Sequence, residues 1–176
     1  MSKNKNGGLE ALTDALTVRK KVTEVLKVLA LQSQKRIEAL EETLAKAKTD
    51  EEILKARESL REERFNHWLI KEECHTVATK SAELTGCLRT ANTIFPDVKS
   101  LYVVAEVTER RVWMDRALGA CNVLQDELQY IAESVYADKN KFTPLTLEIE
   151  TLFRKIKGIR QADNRFLKKE SRESKD

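Results

Sequence analysis

Residues 101–136 read LYVVAEVTERRVWMDRALGACNVLQDELQYIAESVY. Small or apolar residues recur there at steps of three and four: Leu101, Ala105, Thr108, Val112, Met114, Leu118, Cys121, Leu124, Leu128, Ile131 and Val135. That spacing puts one continuous stripe on a helix with 3.6 residues per turn, and no turn-forming cluster interrupts it. A helix over about 97–136 is predicted, its stripe packed on partner helices. Phe95-Pro96 just before it is the clearest boundary in the chain, because proline pushes the residue before it out of helical geometry and Asp97 can cap the next helix.

The same period extends outward in both directions. Leu9, Leu12, Leu16, Val22, Leu26, Leu29, Ile37, Leu40, Leu44 and Ala47 predict a first helix over about 9–47. Thr49 followed by Glu52 is a capping-box pattern, so a second helix starts near residue 50 and runs to about 94 on Ile53, Leu60, Trp68, Ala78, Ala82, Leu88 and Ala91. Beyond a polar turn at 137–141, Thr143-Pro144 reads as N-cap and first residue of a fourth helix, 144–167, with Leu145, Ile149, Leu152, Phe153, Ile156 and Ile159 as its apolar face. Residues 1–8, with Gly7-Gly8, read as a flexible tail, and 168–176 as a charged tail. Four helices joined by short connections are antiparallel neighbours. The expected fold is one all-α domain over 9–167, an elongated up-down-up-down four-helix bundle.

Composition supports this and excludes much else. Five Gly and two Pro in 176 residues, with 35% charged side chains, do not suit a sandwich, a barrel or a Rossmann sheet. No run of about 18 apolar residues is present, so no membrane span is expected. Met1–Gly8 leads into no hydrophobic signal core, and Cys74, Cys87 and Cys121 form no CxxC pair, which predicts reduced core thiols in a cytoplasmic setting. Gly119 and Gly158 lie inside strong helical patterns, where glycine costs about 1 kcal/mol relative to alanine. Close crossing of the third and fourth helices at these glycines is therefore predicted.

The net charge of +3 is unevenly spread. Residues 36–75 carry 8 basic and 11 acidic side chains, whereas 152–172 carry 8 basic against 2 acidic. Within the latter, Arg154, Lys155, Lys157, Arg160, Arg165, Lys168 and Lys169 are candidates for contacting nucleic-acid phosphates. Cations at a helix C-terminus also complement its dipole, and that simpler role has equal weight. Arg110, Arg111 and Arg116, together with Arg19, Lys20 and Lys21, are further candidates if the bundle brings them alongside.

Enzyme chemistry has little to stand on. Cys74 and His75 point about 100° apart on a helix, and His67 is two turns away, so a metal centre is not expected. Adjacent carboxylates such as Glu72 and Glu73 diverge in the same way; there is no Glu-x-x-His pair and no phosphate loop, and no cofactor is expected. Arg61 and His67 have the R-x5-H spacing that resembles the motif of HEPN ribonucleases, which implies acid–base work by His67 and phosphate-charge stabilisation by Arg61. Glu62 stands where that family has a small polar group, and the flanks read as an ordinary amphipathic helix. The ribonuclease reading ranks third, and a non-catalytic protein is expected.

A longer resemblance lies in the second half. Arg116-Ala117-Leu118-Gly119-Ala120-Cys121 with Leu124, Glu127 and Leu128, then Phe142-Thr143-Pro144 opening a helix with Glu148, Arg154, Ile156, Gly158 and Ile159, covers about 50 of the 176 residues. These stretches resemble the small four-helix-bundle proteins encoded in rRNA intervening sequences and the related accessory variability determinant (Avd) proteins of diversity-generating retroelements. In this chain Phe95-Pro96 precedes the third helix, whereas the family's Phe-Pro turn lies between the first two. The resemblance implies an oligomeric, non-catalytic accessory protein that binds RNA or DNA and a reverse transcriptase. The alternative class is a structural adaptor whose long helices meet a protein partner through exposed residues such as Trp68, Trp113 and Tyr102.

Overall fold

The computed structural model describes residues 3–97, 99–134 and 139–167. They form four helices: α1 Lys3–Lys46, α2 Asp50–Thr93, α3 Val103–Ser134 and α4 Lys139–Ala162. Each helix packs on the next, and α4 closes back onto α1, while the diagonal pairs do not meet. This is the expected antiparallel four-helix bundle. Among the described residues no helix is long and apolar enough to cross a membrane.

The α1–α2 turn forms as the capping box requires. Thr49 Oγ1 accepts the Glu52 N–H at 3.2 Å, and Glu52 Oε2 accepts the N–H groups of Thr49 at 3.2 Å and Lys48 at 2.8 Å. Asp50, Glu51 and Glu52 in the first turn also complement the positive end of the α2 dipole. At the other end Ile94 leaves helical geometry at φ −93, ψ 110, just before Phe95-Pro96.

Other boundaries differ from the sequence reading. α3 starts at Val103 rather than near 97 because Asp97 caps a separate turn: its Oδ1 accepts the Lys99 N–H at 3.1 Å and its carbonyl accepts the Ser100 N–H at 2.9 Å. α4 starts at Lys139, five residues before Pro144, so Pro144 is inside the helix and Thr143 is not its N-cap. The missing proline N–H leaves one bond of the second turn unmade. α4 ends at Ala162, and a further helical turn at 164–167 comes after Asp163. Val135, residues 137–138 of the expected turn and the 168–176 tail lie outside the described residues, while residues 139–141 of that turn are the first residues of α4.

The region 3–8, expected as part of a tail, belongs to α1. Gly8 is where a close approach occurs: Asn92 Nδ2 donates to its carbonyl at 2.8 Å, and a Cβ there would lie 2.4 Å from Asn92 Oδ1. The crossing predicted at Gly119 and Gly158 does not occur. Both are exposed, and a Cβ at either would meet nothing within 4 Å.

One core runs through the four-helix part, from Ala11, Ala15, Val18, Val22, Leu26 and Leu29 of α1 to Leu145, Ile149, Leu152 and Ile156 of α4. α3 contributes a different face from the one read first: Val103, Val107, Arg110 and Met114 are buried, whereas Leu101, Ala105, Thr108 and Val112 face solvent. The expected and buried stripes coincide at Met114 and again from Cys121 onward, at Cys121, Leu124, Leu128 and Ile131.

α1 and α2 have 44 residues each, against 32 in α3 and 24 in α4, or about 66 Å against about 48 and 36 Å at 1.5 Å per residue. Glu148 meets Lys21, and Glu73 meets Glu127, only seven residues before α3 ends at Ser134. The far ends of α1 and α2 therefore run past the other two helices and pack on each other alone. In this two-helix arm, beyond Ser33 and before His67, the buried apolar residues are Ile37, Ala56 and Leu60, and none of them joins the main core.

Candidate functional site

α4 buries Leu145, Ile149, Leu152 and Ile156 at helical spacing, which turns its cations toward the bundle's edges and solvent. Most of them meet carboxylates there. Lys155 Nζ lies 2.5 Å from Asp14 Oδ2 and 3.7 Å from Glu10 Oε2, and its hydrogen bond to Asp14 raises its pKa above the usual lysine value. Arg160 grips Asp115 with two nitrogens, Nε to Oδ1 at 2.5 Å and Nη2 to Oδ2 at 3.1 Å. Arg154 pairs with Glu150 one turn earlier on α4. The Arg165 guanidinium stacks 4.8 Å from the Phe166 ring, and Lys157 is exposed with no carboxylate partner among the described residues. Lys168 and Lys169 lie outside the described residues. Three of the candidate cations thus tie α4 to α1, to α3 and to itself, so a phosphate would have to compete with an existing partner at each.

The second set of candidate cations does not converge either. Arg110 is buried: its Nε is 3.0 Å from Asp163 Oδ2 and its Nη1 donates to the Ile94 carbonyl at 3.0 Å. It fastens α3 to the end of α4 and to the α2–α3 connection. Arg116 lies over the Trp113 ring, 4.7 Å from the centroid. Lys21 reaches Glu148 at 2.5 Å, and Arg19 donates to Thr85 Oγ1 at 3.3 Å. The groove between α1 and α4, about 360 Å³, has Asp14 and Glu148 on its rim and is not built for an anion.

His67 and Arg61 do not form one site. His67 Nδ1 lies 3.2 Å from Ser33 Oγ, inside the α1–α2 contact, and the same hydroxyl donates to Glu63 Oε1 at 3.2 Å. Arg61 is exposed, and six residues at about 100° each put it roughly 120° around α2 from His67. Ser33 itself is 1% exposed, so its hydroxyl serves as a buried link between helices and is closed to substrate. No group of three or more His, Cys, Asp or Glu side chains able to hold a metal ion occurs among the described residues. The cysteines are free thiols; burial pushes Cys121 up to about 12, and Cys74 and Cys87 above their ordinary value.

One pair escaped the sequence reading. Glu73 and its neighbour Glu72 do diverge around α2, but α3 brings Glu127 against Glu73. Desolvation, and then the hydrogen bond to Glu127, raise the Glu73 carboxyl above the usual carboxylate range. Only the α2–α3 register reveals the pair, and no local spacing encodes it.

No protein-family model matches the chain, and no curated protein matches it in sequence comparison. Its surfaces therefore have to speak for themselves. Leu101 is 94% exposed and Tyr102 72%, with Val104 and Val112 also open to solvent along the outer side of α3. On α2, from the arm to its junction with the four-helix part, Leu54, Phe65 and Trp68 are more than half exposed, whereas Trp113 is half-buried under Arg116.

Proposed function

We propose that this chain is a non-catalytic accessory protein that acts by binding, as an oligomer of identical copies. The observation that carries this is the outer face of α3: Ala105, Thr108, Val112 and Gly119 share one stripe, and all four are exposed. A second copy crossing antiparallel about a two-fold axis near Val112 suits the stripe. It would set Ala105 over the open surface at Gly119 of the other copy, where a Cβ has no neighbour within 4 Å. The same arrangement sets Glu109, which has no ion-pair partner among the described residues, opposite Arg116 on both sides of the two-fold axis. Apolar contact at the centre and opposite charges at the rim are what a specific helix–helix interface requires.

Nucleic acid is the ligand this reading favours, in line with the resemblance to accessory proteins of reverse transcriptases and the abundance of cations outside the core. A pure protein adaptor is the alternative, supported by the same exposed apolar residues, Trp68 and Tyr102 among them. Sedimentation equilibrium of the wild type and Val112→Glu tests the assembly. A wild type heavier than one chain and a variant at the monomer mass support it; a wild type that stays monomeric at tens of micromolar removes it. Gel-shift titration at low and high salt separates the ligands, since salt-sensitive retention of RNA or DNA favours the first and no retention at low salt favours the adaptor.

A further inference from the structure

Residues 36–75 are acidic in sum, yet α2 sorts its charges around its circumference. At about 100° per residue, Arg57, Arg61, Arg64 and Lys71 fall within one arc of roughly 80°, and Phe65 and Trp68 border or share that arc. Glu51, Glu52, Glu58, Glu62, Glu63 and Glu73 all lie outside it; Asp50, in the first turn of α2, falls within it, and Glu72 lies between the directions of Arg61 and Phe65. Every residue of the arc is exposed, with Phe65 at 59% and Trp68 at 53%. The two rings are 5.7 Å apart between centroids and tilted by 38°. Arg64 shares Glu41 at 2.7 Å across the arm, while Arg57, Arg61 and Lys71 have no ion-pair partner among the described residues. His67 and Glu63 lie beyond the Lys71 edge of the arc and face α1.

From this arrangement we infer that the outer face of α2, along the arm and its junction with the four-helix part, binds single-stranded nucleic acid, with phosphates on Arg57, Arg61, Arg64 and Lys71 and an unpaired base stacked on Trp68 or Phe65. The inference rests on the nucleic-acid reading above but relocates the contact from the α4 end to the arm. Charge complementarity selects the occupant. Three cations left without partners beside the rings suit a polyanion better than an apolar protein helix, whose docking would desolvate those charges unpaired. Exposed ring faces select a single strand, because only unstacked bases can use them and every base offers a π-face. The rise of about 6 Å per four helical residues carries the cations along the arm as a track, which suits contact that does not depend on sequence.

The test is fluorescence anisotropy of a labelled 20-nucleotide poly(U) RNA, titrated at low and moderate salt with the full-length chain and three exposed-surface variants. These are Arg57→Ala/Arg61→Ala/Lys71→Ala, Trp68→Ala, and Lys157→Ala/Arg154→Ala as the α4 control. The expected result is salt-dependent binding that falls at least 10-fold in the arm triple variant and several-fold in Trp68→Ala, with little change in the control. The slope of log affinity against log salt should drop by about 2 in the triple variant, as loss of three phosphate contacts at about 0.7 each requires. In a Trp113→Phe background, quenching of Trp68 fluorescence by unlabelled poly(U) is expected on stacking. Binding lost only in the α4 control overturns the arm site and leaves the nucleic-acid reading intact. No binding by the wild type at low salt overturns both. Equal affinity for a 20-base-pair duplex without Trp68 quenching overturns the single-strand assignment, as does capture by phosphatidylserine vesicles but not by RNA.

Discussion

Arg110 Nε lies 3.0 Å from Asp163 Oδ2, and the two side chains are 5% and 0% exposed. This ion pair closes the base of the bundle, because Arg110 also donates to the Ile94 carbonyl and Asp163 stands where α4 ends. Removing one partner strands a charge in a dry site. Asp163→Ala is expected to cost about 3–5 kcal/mol in urea unfolding, whereas Arg110→Met combined with Asp163→Leu should recover most of that loss. A cost below about 1 kcal/mol for the single variant would show that water reaches the pair.

The glycines divide into two kinds with opposite expectations. Gly119 and Gly158 are exposed in mid-helix with open space at the Cβ position, so Gly158→Ala should stabilise by up to about 1 kcal/mol. Gly119→Ala should match it in the isolated chain and weaken self-association. At Gly8 a methyl group would displace the Asn92 side chain and its 2.8 Å hydrogen bond, so Gly8→Ala should gain less than Gly158→Ala. Thermal melts of the three variants check the order.

Glu73 faces Glu127 across α2 and α3, and its pKa is raised from 4.5 by desolvation and then by Glu127. With the folded value above the unfolded one, the fold favours the protonated form. That contribution is complete below about pH 4.5 and is lost as pH rises through the folded pKa. At pH 7 the pair is a small liability. Glu73→Gln should raise neutral stability by roughly 0.2–0.5 kcal/mol, a figure held low by solvent screening, and the gain should vanish toward pH 4. The difference between wild-type and variant melting temperatures at the two pH values measures it.

Glu52 has the opposite sign. Backbone N–H bonds from Lys48 and Thr49 hold its carboxyl below the ordinary value of 4.5, so its support of the arm's turn is present above that pH and lost as pH falls through the lowered pKa. Thr49→Ala removes the other half of the capping box and should cost about 1 kcal/mol of helix stability. Amide exchange at Glu52 and Ile53 should accelerate in the variant and leave the main core unchanged, since the arm's buried residues stand apart from that core.

The helix count, the α1–α2 turn and most of the core were legible because periodicity and the Thr49–Glu52 box are local signals. What was not legible depended on registers between helices. On α3 two stripes compete over residues 101–114, and the bundle buries the one holding Arg110, which sequence patterning reads as surface. Gly8 looked like a tail and Gly119 like a contact because the residue type marks permissiveness without saying what lies opposite. The α4 cations lie close together in sequence; that Asp14 and Asp115 come to meet Lys155 and Arg160 is a property of the fold. The arm's basic arc was hidden in an acidic stretch because a net sum erases direction around a helix.

The central claim, assembly through the outer face of α3, is tested most directly by reversing charge at its rim. Glu109→Arg alone and Arg116→Glu alone should each raise the dissociation constant of the assembly, measured by sedimentation, because each sets like charges opposite one another twice across a two-fold axis. The double variant Glu109→Arg/Arg116→Glu should return to wild-type association. Identical masses for all four proteins across the concentration range, or a double variant weaker than both singles, would contradict it.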